Sequence, residues 1–254
     1  MLTVENLTCG YGGAPVVKGL SFAVPAGGRL CVLGPNGCGK TTLLRALAGL
    51  LPHQGTVRID GLDLGEMTRR QAARSVALLS QISSVYFSYT VYETVLMGRY
   101  AHEAGGAFSG PGPEDKRVAL ECMERTGVLD LRDRPVTELS GGQLQRVFLA
   151  RTFAQCPRVI LLDEPTNHLD LKYQVELVQE LKAWAAAERR CVVGVLHDVN
   201  LALEFADLFL LMEAGRPRFF GSAEAFDPAS LNRVYQMDVG GYMRRSLKRW
   251  EELE

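Results

Sequence analysis

The stretch Gly34-Pro-Asn-Gly-Cys-Gly-Lys-Thr41 constrains this chain more than any other. It reads G-x-x-x-x-G-K-[ST]. A short apolar run, Arg29–Leu33, precedes it, and Leu43, Leu44, Leu47 and Leu51 follow at helical spacing. A strand, a glycine-rich turn and an amphipathic helix are expected in that order. Glycines let a backbone wrap closely around phosphate oxygens with its N–H groups pointing inward, and the helix offers the same anion its positive end. Gly34, Pro35, Asn36, Gly37, Cys38 and Gly39 would form the cradle. Lys40 would bring a point charge to β- and γ-phosphates, Thr41 a hydroxyl for Mg²⁺, and Thr42 the next turn of helix. Cys38 carries two readings. It is a small residue filling a tight loop, or a thiol whose pKa the helix end lowers, so that it alkylates faster without nucleotide.

The apolar run Val159-Ile-Leu-Leu162 ends in Asp163-Glu164. Carboxylates are costly to desolvate unpaired, so two at the end of a buried strand imply a role. Beside a phosphate loop, Asp163 would bind Mg²⁺ and Glu164 would polarise an attacking water. Together the two motifs indicate nucleotide hydrolysis. No N-K-x-D stretch occurs, so guanine specificity is not supported.

Strands and helices alternate along the chain, which predicts an α/β fold with a largely parallel sheet. Leu2-Thr-Val-Glu alternates like an edge strand, Thr56–Asp60 reads as another strand, and Cys191–Leu196 and Phe209–Met212 read as buried ones. Helices are predicted at Val91–Tyr100, Pro113–Thr126, Gly141–Ala154 and Tyr173–Glu188, with Leu201–Phe205 in a further one. Residues 104–113 are a loop by their Gly/Pro content. The division that follows is an α/β body at 1–82 and 155–221, carrying the nucleotide motifs, a helical subdomain at 83–154 and a small appendage at 222–254.

Charge limits the partners. Twenty-eight Lys+Arg against 29 Asp+Glu leave a net charge of −1, which disfavours binding driven by a nucleic-acid backbone. No run approaches the roughly 20 apolar residues that span a bilayer, and the start has no secretion-signal pattern. The six cysteines show no C-x-x-C pair and are expected as reduced thiols. His53 and His102 are expected at the surface.

A second glycine-rich turn opening a helix, Leu139-Ser-Gly-Gly-Gln143, lies shortly before the acidic strand. One nucleotide does not need two such cradles from one chain, whereas two copies facing head to tail would use both. Here the sequence resembles the ATP-binding subunits of ABC transporters, with Leu139–Gln143 as their signature motif. The resemblance runs from about Leu2 to Gly241. It implies a P-loop NTPase core with a mixed sheet, antiparallel strands at its edge and an inserted helical subdomain. It implies that Tyr11 stacks on adenine, that Gln81 contacts metal and water, and that His197 contacts the γ-phosphate. The 167–170 loop, with Asp170 its key position, would cross to the second copy, and His168 would touch that copy. Ser140, Gly141, Gly142 and Gln143 would bind the ATP held by the partner. Departures are Cys38, where alanine or serine is commoner, and Ser80, where proline is frequent.

Three stretches resemble the importers of ferric siderophores, haem and cobalamin: Val95–His102, Glu164–Asp170 and Leu231–Val239. The resemblance implies a homodimer on the cytoplasmic side of the inner membrane, working with integral-membrane permease subunits and indirectly with a substrate-binding protein. Tyr86, Phe87 and Tyr89 are candidates for the permease groove or for subdomain packing. The basic cluster Arg244–Arg249 reads as a solvated tail or an anionic-lipid contact. Alternatives are another importer or exporter class (zinc, manganese or amino-acid transport), a soluble non-transport ABC ATPase, and a regulator without turnover. Glu164 and His197 argue against the last.

Overall fold

The computed structural model describes residues 1–80, 88–102, 110–167 and 169–252. In chain order it begins with strands β1 (Leu2–Cys9), β2 (Val17–Val24) and β3 (Arg29–Leu33), followed by helix α1 (Lys40–Leu47). Strands β4 (His53–Ile59) and β5 (Leu62–Asp63), helix α2 (Arg69–Ser75) and strand β6 (Val76–Leu79) come next. Helices α3 (Val91–Leu96), α4 (Pro113–Arg125) and α5 (Gly141–Ala154) precede β7 (Val159–Asp163). The chain continues through α6 (Leu171–Glu188), β8 (Cys191–Val195), α7 (Val199–Phe205), β9 (Leu208–Glu213), β10 (Arg216–Ser222), α8 (Pro228–Tyr235) and α9 (Val239–Glu251).

Two sheets form. The smaller has the order β2-β1-β4-β5 and is antiparallel throughout. The reading of Leu2-Thr-Val-Glu as an edge strand is corrected here, because β1 lies between β2 and β4. Its apolar residues pair on one face, Val4 opposite Phe22 on one side and Val57 on the other. Alternation reports that one face is buried and carries no information about how many neighbours a strand has.

The larger sheet has the order β10-β9-β3-β8-β7-β6. Its pairings are parallel except at β10, an antiparallel edge against β9. Strands covered on both faces must be apolar on both, and β3 shows how. Leu30 and Val32 enter a core shared with β1, β2 and α1, while Cys31 and Leu33 enter a second core with α5, α6, α7 and α8. Helix α1 thus sits between the sheets. A third core, built on Val91, Val95, Ala119, Met123 and Val147, holds α3, α4 and α5 together.

Helix starts carry their own signals. Thr68, Thr90 and Ser140 each accept from the backbone N–H three residues on, and Gln71, Glu93 and Gln143 bond back to close the capping boxes. The predicted helix at Val91–Tyr100 is α-helical only to Leu96 and then tightens into a 3₁₀ turn over Met97–Arg99. That turn seats the buried Arg99, which donates to Asp115 at 3.0 Å and to the Ala154 carbonyl at 2.8 Å. Helix α6 begins at Leu171, two residues before the predicted start, because Asp170 caps it.

The strand order positions the site. β3, β8 and β7 are neighbours and run parallel, so their carboxyl ends meet on one edge of the sheet. The glycine loop leaves β3, His197 follows β8, and Asp163 ends β7.

Candidate functional site

At that edge Lys40, 6% exposed, turns back into its own loop. Its Nζ donates to the carbonyls of Gly34, at 2.7 Å, and Pro35, at 3.1 Å. Gly34 has φ +148°, and a side chain there would collide with the Met212 carbonyl of β9. Glycine is therefore required where the loop leaves the sheet. Thr41 Oγ1 donates to Asp163 Oδ1 at 3.1 Å, tying the start of α1 to the end of β7. Burial pushes the Asp163 carboxyl above its usual pKa. The Thr41 bond opposes this, and the neighbouring Glu164 charge adds to the rise.

Glu164 has φ +55°, a left-handed conformation that disfavours a side chain by about 1–2 kcal/mol. Such strain persists where surrounding contacts over-determine it. Two contacts do so. His197 Nε2 lies 2.6 Å from Glu164 Oε1, and Asn167 Nδ2 donates to Oε2 at 2.7 Å. Asn167 was not singled out from sequence as a partner of the acid. Its place three residues after Glu164, in a turn, was the available signal. The cleft holding these groups has a volume of about 310 Å³ and is lined by Asn36, Gly37, Gly39, Lys40, Thr41, Thr42, Glu164 and His197, with Val16 as an apolar wall.

Cys38 resolves to the bland reading. It is 4% exposed, and burial raises its thiol pKa despite the opposing charge of Lys40. The expectation of a lowered pKa failed because burial in the core penalises the thiolate more than the Lys40 charge and the N–H groups of Lys40 and Cys38 favour it. Tyr11 stands exposed on the β1–β2 loop, and its hydroxyl accepts from Arg45 of α1 at 3.3 Å. It is near the cradle's helix, but it does not line the cleft.

The second glycine turn lies elsewhere. Ser140 Oγ accepts from Gln143 N at 3.3 Å and Gln143 Oε1 from Ser140 N at 3.0 Å, so both side chains close the start of α5 behind Gly141. Gly142 faces the Tyr173 ring, with space so tight that a Cβ would stand 3.1 Å from it. It lines a separate groove of about 390 Å³ between α4, α5 and α6. Arg146 stacks over Tyr173 at 4.6 Å and pairs with Glu176. Gln145 donates to the Pro165 carbonyl at 3.1 Å, linking α5 to the turn that carries Glu164.

The fold thus brings the cradle, Glu164 and His197 into one cleft, ties Asp163 to it through Thr41, and leaves Ser140–Gln143 outside it. Asp170 is spent capping α6, accepting from Tyr173 N at 3.1 Å. Gln81, Tyr86, Phe87 and His168 lie outside the described residues. His53 and His102 are half-buried, less exposed than expected of surface residues. His102 Nε2 sits 2.9 Å from the Gln155 carbonyl, and burial lowers its pKa. Among the described residues no cluster of three His, Cys, Asp or Glu could hold a metal by itself. Thr41 and Asp163 nonetheless offer the hard oxygen donors that Mg²⁺ prefers when phosphates supply further ligands.

A buried lysine in a glycine cradle, linked through a threonine to a strand-end acid pair and a histidine, is the nucleotide site of a P-loop ATPase. Residues 17–167 match the family model described as ABC transporter, and the chain belongs to this family as an ATP-binding domain. It is 36% identical over 240 residues to the iron(3+)-hydroxamate import ATP-binding protein FhuC of Bacillus subtilis, covering 94% of this chain and 88% of that one. It is 41% identical over 237 residues to the hemin import ATP-binding protein HmuV of Rhodococcus jostii, covering 92% and 79%. A solved transporter described as of metal-chelate type, in an inward-facing conformation, superposes with a TM-score of 0.80 at 32% identity, covering 92% of this chain and 88% of that one. The dimeric ATP-binding cassette MJ0796 bound to ADP and Pi superposes at 0.77 with 26% identity, covering 89% and 100%.

Proposed function

We propose that this chain is the ATP-hydrolysing subunit of an importer of metal chelates: siderophore-bound iron, haem or cobalamin. The observation that carries the ATPase reading is the shared cleft of Lys40, Thr41, Glu164 and His197, with Asp163 bonded to Thr41 at its side. The import reading is supported by the relatives, which are named for hydroxamate, hemin and cobalamin uptake.

The chain's own residues act as follows. N–H groups of the 34–39 loop and the Lys40 ammonium hold the phosphates. Thr41 and Asp163 would hold Mg²⁺, which neutralises developing phosphate charge when bound. Glu164, steadied by Asn167 and His197, would orient and polarise the attacking water, and His197 would contact the γ-phosphate. Gln81 would complete the metal side, and Tyr11 would stack on adenine. Ser140–Gln143 do not line this cleft, which supports a head-to-tail homodimer in which each signature turn and Asp170 close over the other copy's ATP.

No helix among the described residues is long and apolar enough to cross a membrane. Separate permease subunits would therefore form the pore, with this chain peripheral on the cytoplasmic side and a substrate-binding protein as an indirect partner. A groove lined by Leu50, Arg69, Ala72, Leu78 and Gln155, just before Gln81, supports the docking of a permease segment there. Leu50 is 68% exposed at its rim. We retain residues 1–82 and 155–221 as the ATPase core, 83–154 as the helical subdomain and 222–254 as the appendage.

The test has two arms. The purified chain should hydrolyse MgATP, and Lys40→Ala should abolish it. Deleting the coding sequence in the source cell should stop uptake of a ferric hydroxamate, haem or cobalamin. Hydrolysis with no loss of any of the three would leave the ATPase reading and remove the import reading.

A further inference from the structure

The stretch Leu231–Val239 has no place in the chemistry described so far, yet its central tyrosine reaches the phosphate loop. Gly34 N–H donates to Tyr235 Oη at 3.2 Å. Tyr235 is the last residue of α8, 201 positions away in sequence. The last ladder pairing between β3 and β9 joins Leu33 to Leu211, so the Gly34 N–H belongs to the first residue past it. A backbone donor this far from water needs a partner, and the tyrosine hydroxyl supplies it.

The appendage is built to hold that hydroxyl still. Asp227 caps α8 by accepting from Ala229 N at 2.9 Å. Leu231 and Val234 are buried in the second core. Asn232 Oδ1 accepts from Val239 N at 2.8 Å, locking the turn into α9. Burial raises the Tyr235 phenol pKa, so it stays protonated at neutral pH. The same Gly34 that receives this support presents its carbonyl to Lys40 at 2.7 Å. One glycine thereby connects Tyr235 to the phosphate-binding ammonium.

We propose that Tyr235 is a positioning residue for nucleotide binding: its hydroxyl fixes where the phosphate loop leaves the sheet and so sets the place of Lys40. This inference rests on the ATP-binding reading of the cleft. The experiment compares the full chain with Tyr235→Phe and Val234→Ala, measuring ATP affinity by displacement of a fluorescent nucleotide, steady-state KM and kcat, and the thermal midpoint. Tyr235→Phe keeps the ring and removes the hydroxyl, and losing one buried hydrogen bond of this kind should weaken ATP binding and raise KM by about 3- to 10-fold. Its kcat at saturating ATP should stay within about twofold, because the acid pair is untouched. Val234→Ala loosens α8 packing but spares the hydroxyl, and it should lower the thermal midpoint while leaving KM unchanged. An unchanged ATP affinity in Tyr235→Phe overturns the proposal, as does an equal rise in KM from Val234→Ala. A wild-type chain that does not bind ATP would instead overturn the reading on which the proposal rests.

Discussion

Thr41 and Asp163, 122 positions apart, meet through one hydroxyl-to-carboxylate hydrogen bond of 3.1 Å. The bond joins the glycine loop to the strand that carries the acids, so the two side chains proposed to hold Mg²⁺ lie side by side. Asp163→Asn keeps the shape and removes the charge. It should cut Mg²⁺-dependent ATP turnover by at least about 100-fold, with little change in thermal midpoint. Turnover assays across a Mg²⁺ titration check this, and a variant restored by excess Mg²⁺ alone would point to a weaker role in metal affinity only.

Glu164→Gln should lower turnover by about 100- to 10,000-fold, the span lost with a general base. Because Asn167 can still bond the glutamine oxygen, the strained turn should survive and ATP should remain bound. Size-exclusion chromatography with MgATP should then show a dimer in the variant that the wild type loses as it hydrolyses. Wild-type turnover in this variant would remove Glu164 from its assigned role.

Much of this site was legible because its residues are local in sequence. The cradle, the acid pair and the second glycine turn each occupy consecutive positions, and each abuts a strand or helix whose periodicity gives its direction. Some of the wrong or missing readings concern partners distant along the chain, whereas Asn167 and Cys38 are local exceptions. β1 looked like an edge strand because alternation is silent on neighbours. The Tyr235 contact spans most of the molecule. For Cys38 the helix-end donors and the Lys40 charge act as one reading expects, but the burial that outweighs them comes from packing that no local residue pattern encodes.

Cys38 gives a direct check. Buried, and with its thiolate disfavoured, it should react with iodoacetamide at pH 7.5 at least about tenfold more slowly than the same thiol in the unfolded chain. Mass spectrometry of Cys38 in timed labelling reads the rate. Rapid labelling without nucleotide and protection by ATP would restore the discarded reading.

Arg99 and Asp115 form a buried ion pair at 3.0 Å that joins the 3₁₀ turn after α3 to the start of α4. Burial alone would raise the Asp115 pKa. The Arg99 bond and the Gly112 N–H outweigh it and hold the carboxyl below its usual range. A depressed folded pKa contributes stability above the unfolded value, about 3.9 for Asp, and loses it as pH falls through the folded value. Asp115→Ala strands the arginine and should cost about 3 kcal/mol near neutral pH. The gap between variant and wild type should close in denaturant melts run below about pH 4, and a gap that does not depend on pH would refute the pairing.

Ser140→Ala should cost about 1 kcal/mol through its lost cap, or about 2–4 °C in thermal midpoint for a chain of this size. Calorimetry without nucleotide isolates this structural share from any effect on ATP-dependent dimerisation. No shift in the midpoint would show that the cap contributes nothing.

The two carbonyls that hold Lys40 change what nucleotide affinity means here. Lys40 is not a bare cation, because the Gly34 and Pro35 carbonyls solvate its ammonium. Phosphate oxygens that reach Lys40 would therefore compete with these backbone oxygens for its N–H donors. The measured affinity is the difference between two solvations of one charge, and a mutation that merely weakens the resting pair would tighten the grip on ATP without adding a single contact to it.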